Sequence, residues 1–140
     1  MYKYNPKRVT GSLMNIAFEG LMDGVFITVE KVEKAVLTHV GGSGELSAVL
    51  NANTLAKATL TFVQGSPTND AFSKKVPNAA KNFFPTGVFQ LNDLNGNTVV
   101  NSKDAFIEDF AKIDFGKEIT GRQWTIYLPE ADITAGGAGS

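Results

Sequence analysis

The chain holds one histidine, His39, and no cysteine. Without cysteine there is no disulfide framework, thiolate zinc site or thiol nucleophile. A histidine that binds metal or acts as a base needs partners at ligand or hydrogen-bond spacing. None neighbours His39 in the sequence, so it reads as an ordinary strand-end residue. Gly41-Gly42-Ser43-Gly44 is rich in glycine, but the Lys-Ser/Thr pair of a phosphate-binding loop does not follow it. It reads as a flexible hairpin tip. Asp93, Asn95, Asn97 and Asp104 partly match a calcium loop, yet Thr98 stands where that loop requires Gly, and the last ligand is Asp instead of Glu. An Asn95-Gly96 turn accounts for the same residues more simply. Glu30 with Glu33, and Glu108 with Asp109, are the close carboxylates. A catalytic pair needs surroundings that drive its two pKa values apart. Solvated charges at strand edges, which resist edge-to-edge aggregation, are the simpler reading. The expectation is a protein without catalysis, metal or cofactor.

Composition supports an ordinary globular fold. The 140 residues suffice for one domain with its own core. Hydrophobic residues at 43% against 19% charged exclude wholesale disorder. The net charge of -1, from 13 basic and 14 acidic residues, lacks the basic excess that grips nucleic acid. It suits a surface past which a polyanion slides. The start, MYKYNPKRVTG, has basic residues but no apolar core, so it does not read as a secretory signal. No apolar run approaches the roughly 18 residues of a membrane span.

Alternation then places the strands. Thr10 to Phe18 and Val25 to Val32 alternate, and the Gly20–Gly24 linker between them predicts a hairpin. Ala35 to Val40 and Glu45 to Leu50 are further strands around the glycine tip. Lys57 to Val63 alternates most cleanly, with Ala58, Leu60 and Phe62 opposed to Lys57, Thr59 and Thr61. After Gly65, Ser66-Pro67 fits a helix N-cap followed by proline at the first helical position. Phe72, Val76, Ala79/Ala80 and Phe83 recur at helical spacing, and Pro77 predicts an early break, so the helix should run two or three turns. Gly87 to Leu94 and Asn97 to Val100 flank the Asn95-Gly96 hairpin signal. Ala105 to Phe115 fits either a helical face or a strand. Gln123 to Leu128 is a last strand, and Ala131 to Ser140 reads as a loose tail. The sum is mainly β: an antiparallel sandwich or small barrel with one flanking α-helix. A single domain over residues 1–132 and a Gly-rich tail over 133–140 are expected. One sheet face is polar, so it meets solvent or a lumen.

The segments RVTGS, FEGLMDGVFITVE, HVGGSGE, TLTFVQGSPTNDAFS and FGKEITGRQWTIYLPEAD follow one another between about Tyr4 and Asp132. In that order they resemble the tail-tube proteins of contractile-tailed bacteriophages. The resemblance implies a virion structural protein: hexameric rings, joined by a sheet continued across subunits, stack into a hollow tail tube that conducts DNA into the host. It implies as partners other copies of the chain, a tail sheath, baseplate and tail-terminator proteins, a tape-measure protein inside the tube, and DNA in transit. It implies assembly in the host cytoplasm and residence in the phage tail. The hairpin tip His39, Val40, Gly41, Gly42, Ser43, Gly44 and Glu45 becomes a ring-stacking loop. Tyr2, Tyr4, Lys7 and Arg8 become inter-subunit or sheath contacts. Ser66, Pro67, Asn69 and Asp70 place a helix start at a subunit boundary, and Lys57, Thr59 and Thr61 become lumen-face candidates. A stand-alone β-sandwich that binds a ligand or adheres to a surface is the alternative.

Overall fold

The computed structural model of the chain describes residues 9–21, 26–93, 97–118 and 120–136. Among them run ten strands and one α-helix: β1 (Val9–Leu13), β2 (Ile16–Ala17), β3 (Ile27–Lys31), β4 (Val36–Val40), β5 (Leu46–Leu50), β6 (Ala56–Val63), α1 (Pro67–Ser73), β7 (Gly87–Asp93), β8 (Val99–Ile107), β9 (Gly121–Leu128) and β10 (Asp132–Thr134). The expected class holds: mainly β, antiparallel, with one short helix. The main sheet runs β2-β1-β7-β8-β9-β6-β3, with β10 also on β8, while β4 and β5 form a separate two-stranded sheet.

Strand β8 joins two layers. Its first residues pair with β7 on one side and β10 on the other. Its last, Phe106 and Ile107, pair with Tyr127 and Ile126 of β9. One core fills the space between. Leu13, Phe89, Leu91 and Val100 come from the first layer; Leu60, Phe62, Trp124, Ile126 and Leu128 come from the second. The period-2 reading of β6 is exact to the residue: Ala56, Ala58, Leu60 and Phe62 are buried, and Lys57, Thr59 and Thr61 alternate with them on the outer face.

The helix caps as its sequence requires. Ser66 Oγ accepts from the Thr68 amide at 3.1 Å, and Pro67 opens the helix. The helix ends at Ser73, so the predicted repeats at Val76, Ala79/Ala80 and Phe83 lie beyond it. Val76 is buried in the irregular exit, and Ala79–Lys81 make a separate 3-10 turn.

Two expectations are corrected by long-range pairing, and one reading left open is decided. The run from Thr10 to Phe18 is broken at Met14-Asn15, where both φ angles are positive (50° and 66°). That two-residue turn pairs Leu13 with Ile16. Asn tolerates this conformation; Met14 is held there by packing on the core, in space that Gly87 leaves open. A Cβ on Gly87 would lie 2.7 Å from Met14 Cγ. Consequently β1 does not form a hairpin with the Val25–Val32 run. It pairs with β7, and β3 pairs with β6. The Ala105–Phe115 stretch divides: Ala105 to Ile107 complete β8, and 108–118 run as an irregular strap. Residues 132–134, read as the start of a loose tail, form β10 against Asn101, Val100 and Val99. The β7–β8 hairpin is formed, closed by the Asp93 amide to the Thr98 carbonyl at 3.0 Å, although Asn95-Gly96 lies outside the described residues.

Candidate functional site

Strands β4 and β5 project as an arm. Every residue of both strands is exposed. Direct cross-strand partners share a face. One face therefore carries Val36 opposite Leu50, Thr38 opposite Ala48 and Val40 opposite Leu46; the other carries Leu37 opposite Val49 and His39 opposite Ser47. The first face is almost wholly apolar, and Leu46 and Leu50 are 69% and 83% exposed. An isolated hairpin is marginal in water, and one that presents branched aliphatics to solvent is poorer still. The tip closes through the Gly41 amide to the Glu45 carbonyl at 2.9 Å, and Gly44 takes a φ of +85° that favours glycine. His39 thus sits mid-arm opposite Ser47, away from the apolar face.

A polar joint connects the arm to the domain. Strands β3 and β6 pair up to Lys31 and Ala56, and the Val32 amide adds a bond to the Leu55 carbonyl at 3.0 Å. The arm therefore continues the β3–β6 hairpin beyond a joint. There Glu33 Oε2 accepts from Asn51 Nδ2 at 3.0 Å and from Asn53 Nδ2 at 3.1 Å. Asn51 also donates to the Lys34 carbonyl at 2.9 Å. The two amides, Asn51 first, hold the Glu33 carboxyl below the usual carboxylate range. A depressed native pKa stabilises the clasp above the unfolded pKa, and that contribution is lost as pH falls through the native one. Acidification through this range should lower the protection of the Asn53 and Leu55 amides against hydrogen exchange, measured relative to the intrinsic rate at each pH, with little change in β6. Glu33→Gln should remove that pH dependence; equal pH sensitivity in the variant would assign it to another group.

The outer face of β3, β6 and β9 is the second surface. Thr28, Thr59 and Thr125 lie in one row across it. The adjacent row reads Glu30, Lys57, Tyr127 and Phe106. Lys57 Nζ is 3.7 Å from Glu30 Oε1, and the Tyr127 hydroxyl donates a hydrogen bond to the Glu108 carboxylate, which together with that negative charge raises the phenol pKa. Thr61 lies opposite Gln123. Lys57, Thr59 and Thr61 are thus brought together on a surface of hydroxyls and paired charges, not a basic one.

The other sequence candidates fall elsewhere. Ser66 and Asn69 are buried and serve the chain itself. Ser66 Oγ donates to the Glu19 carbonyl. Asn69 Nδ2 donates to the Val63 carbonyl at 2.9 Å, and its Oδ1 accepts from Trp124 Nε1 at 2.9 Å. Pro67 and Asp70 are the exposed members of that set. Tyr2, Tyr4, Lys7 and Arg8 lie outside the described residues. Glu30 and Glu33 do not act as a pair, since each has its own partners. Among the described residues no cluster of His, Asp and Glu is built to hold a metal ion. Sequence reading missed the Glu33–Asn51–Asn53 clasp, although the Asn-Ala-Asn spacing beside a strand start was a signal for local side-chain hydrogen bonding.

No family model matches the chain. Structural protein ORF10 of Pseudomonas phage KPP10 is 24% identical over 142 residues, spanning 96% of this chain and 82% of the phage protein. The chain is similar to a bacteriophage structural protein. Its fold is also found in contractile injection systems. The tube-terminating cap of the anti-feeding prophage superposes with a TM-score of 0.60 at 13% identity, over 96% of this chain and 92% of the cap chain. The sheath/tube terminator of the extracellular contractile injection system PVC, in its extended state, gives 0.61 at 14% identity, over 96% and 99%. A chain of the PVC sheath–tube complex gives 0.57 at 14% identity, over 96% and 93%. At such identities the likeness to the solved structures is one of fold.

Proposed function

We propose that this chain is a ring-forming structural subunit of a phage tail tube, through which DNA passes to the host. The arm carries the reading. A folded domain that satisfies its own core yet extends a hairpin with an exposed aliphatic face has a surface designed for another subunit. Repetition of one head-to-tail contact builds rings where the rotation closes and stacks where it does not. Hexameric rings, with the sheet continued across subunits, follow the tail-tube resemblance. The tip from His39 to Glu45 is the ring-stacking element. The Thr28–Thr59–Thr125 rows, with Lys57 and Thr61, form the lumen face, because immobilising a polyanion takes unpaired basic groups and Lys57 is engaged by Glu30. Tyr2, Tyr4, Lys7 and Arg8 meet the sheath or the next ring, and the exposed Pro67 and Asp70 lie near a subunit boundary. Sheath, baseplate, terminator and tape-measure proteins are the further partners in the virion.

A second reading has its own support. Two of the structures that share the fold are a tube-terminating cap and a sheath/tube terminator, so a ring that ends the tube is the competing assignment. Negative-stain microscopy of purified protein across a concentration series separates the possibilities. Stacked tubes with a central channel support the tube subunit. Isolated rings that never stack support the terminator. Small single particles at every concentration would sink both and favour a stand-alone binding module.

A further inference from the structure

Among the described residues the two layers do not close along their whole length. A cleft of about 440 Å³ opens between β3 and the first layer; Val9, Ile27, Val29, Leu91, Val100 and Ile133 make up most of its apolar lining, and Asp93 and Thr98 line it too. Leu91 and Val100 are buried and form its floor, whereas Val9, Ile27 and Val29 stand half-buried along its walls. Ile27 and Val29 lie opposite Leu60 and Ala58, so they point toward the core side of the sheet. The cleft is therefore a place where core-facing aliphatic side chains lack a full layer above them. Its size and largely apolar lining are those of a site that takes a few buried side chains. Two strands that flank it, β3 and β10, each have a ladder partner on one side among the described residues.

We infer that this cleft receives the apolar face of the arm from a second copy of the chain. The inference rests on the ring-forming reading and specifies its contact. Several observations select that occupant. The arm's Val36, Val40, Leu46 and Leu50 match the Val, Ile and Leu lining in chemistry and branching. Both surfaces leave aliphatic side chains in water in the single chain, and docking one on the other removes both defects. Arm and cleft are different patches, so the contact is heterologous and propagates from copy to copy without a second kind of partner. The arm supplies only the five residues of each strand, fewer than the roughly 20–30 a side of a standard interface. It therefore anchors a larger contact, with the strand margins beside the cleft completing it.

The cysteine-free sequence makes a clean test, because every thiol is an introduced one. Single variants are prepared with cysteine at Val36, Val40, Leu46 or Leu50 of the arm, and at Val29 or Ile133 of the cleft. Arm and cleft variants are mixed pairwise, assembled and oxidised. A disulfide requires Cα atoms within about 7 Å, so only docked pairs form it readily. The expected result is an arm-to-cleft dimer on a non-reducing gel in at least one mixture. The same cysteines tested singly should give much less dimer. Phe115→Cys, on the exposed strap between β8 and β9, is the competing acceptor. Particles that form normally while no arm–cleft pair cross-links, or while the arm cross-links to position 115 instead, overturn this contact and leave ring formation standing. Unmodified chain that never assembles overturns both.

Discussion

Phe72→Ala should cost this domain about 3–5 kcal/mol, the usual range for removing a large aromatic from a core, and lower its melting temperature by roughly 10–17 °C. Phe72 is completely buried where the helix packs on the core. Its ring makes edge contacts with Phe18 at 6.0 Å, Phe62 at 5.6 Å and Trp124 at 5.5 Å between centroids. The neighbours cannot close the space that alanine leaves. Phe62 and Trp124 belong to β6 and β9, whose ladder is continuous from Ala56 to Val63. Trp124 is tied in addition to Asn69 by its indole N–H. Most of the void should therefore persist, which puts the cost in the upper part of the range. Phe72→Leu, which keeps more of the volume, should cost less than half as much. Urea unfolding must be followed on unassembled protein, since any association would add stability that depends on concentration. A Phe72→Ala variant within 0.5 kcal/mol of the parent would mean that α1 is not packed as a core element.

How far the sequence reveals this fold depends on where each residue finds its partner. Strand β6 was legible because its alternation is strict and both neighbours demand it: Leu60 faces inward beside Trp124, and Thr59 faces outward beside Thr28 and Thr125. The start of α1 was legible because Ser66 and Pro67 act within one turn. The arm was legible too, since four glycine-tip residues between alternating runs leave few options. Local pattern failed where pairing was distant. Nothing within Thr10–Phe18 announces that Met14 will take a left-handed conformation; the pocket beside Gly87, far along the chain, provides for it. The extension of β8 to Ile107 likewise depends on β9, whose Ile126 lies 19 positions further along the chain. Of the surfaces proposed for assembly, the outward threonines could be read from period 2 alone. The cleft could not, because it is made by what fails to lie over Ile27 and Val29, and periodicity does not record a missing layer.

Replacing Val40 by Glu and Leu46 by Lys together should abolish assembly while leaving the monomer folded. The two residues are direct cross-strand partners near the tip of the arm. An opposite-charge pair at that position supports a hairpin, where two like charges would oppose it. The variant therefore preserves the arm and removes its aliphatic face, separating loss of docking from loss of structure. Both side chains are well exposed in the single chain, so the monomer loses no core contact and its unfolding free energy should stay within about 0.5 kcal/mol. In an assembled contact the same change would bury two charges against aliphatic walls. At about 2 kcal/mol or more for each lost anchor, one arm contact weakens by roughly a thousandfold. Every subunit of a ring or stack repeats that loss, so the concentration needed to form particles should rise beyond the working range. Sedimentation velocity and microscopy read this directly. His39→Gln, on the opposite face of the same arm, should assemble like the parent. If the Val40/Leu46 double variant builds particles at the parent's concentration, the aliphatic face is not what joins the copies, and the arm loses its place in the mechanism. If the His39 variant fails as well, the arm acts through both faces and is clamped between neighbours instead of docking on one.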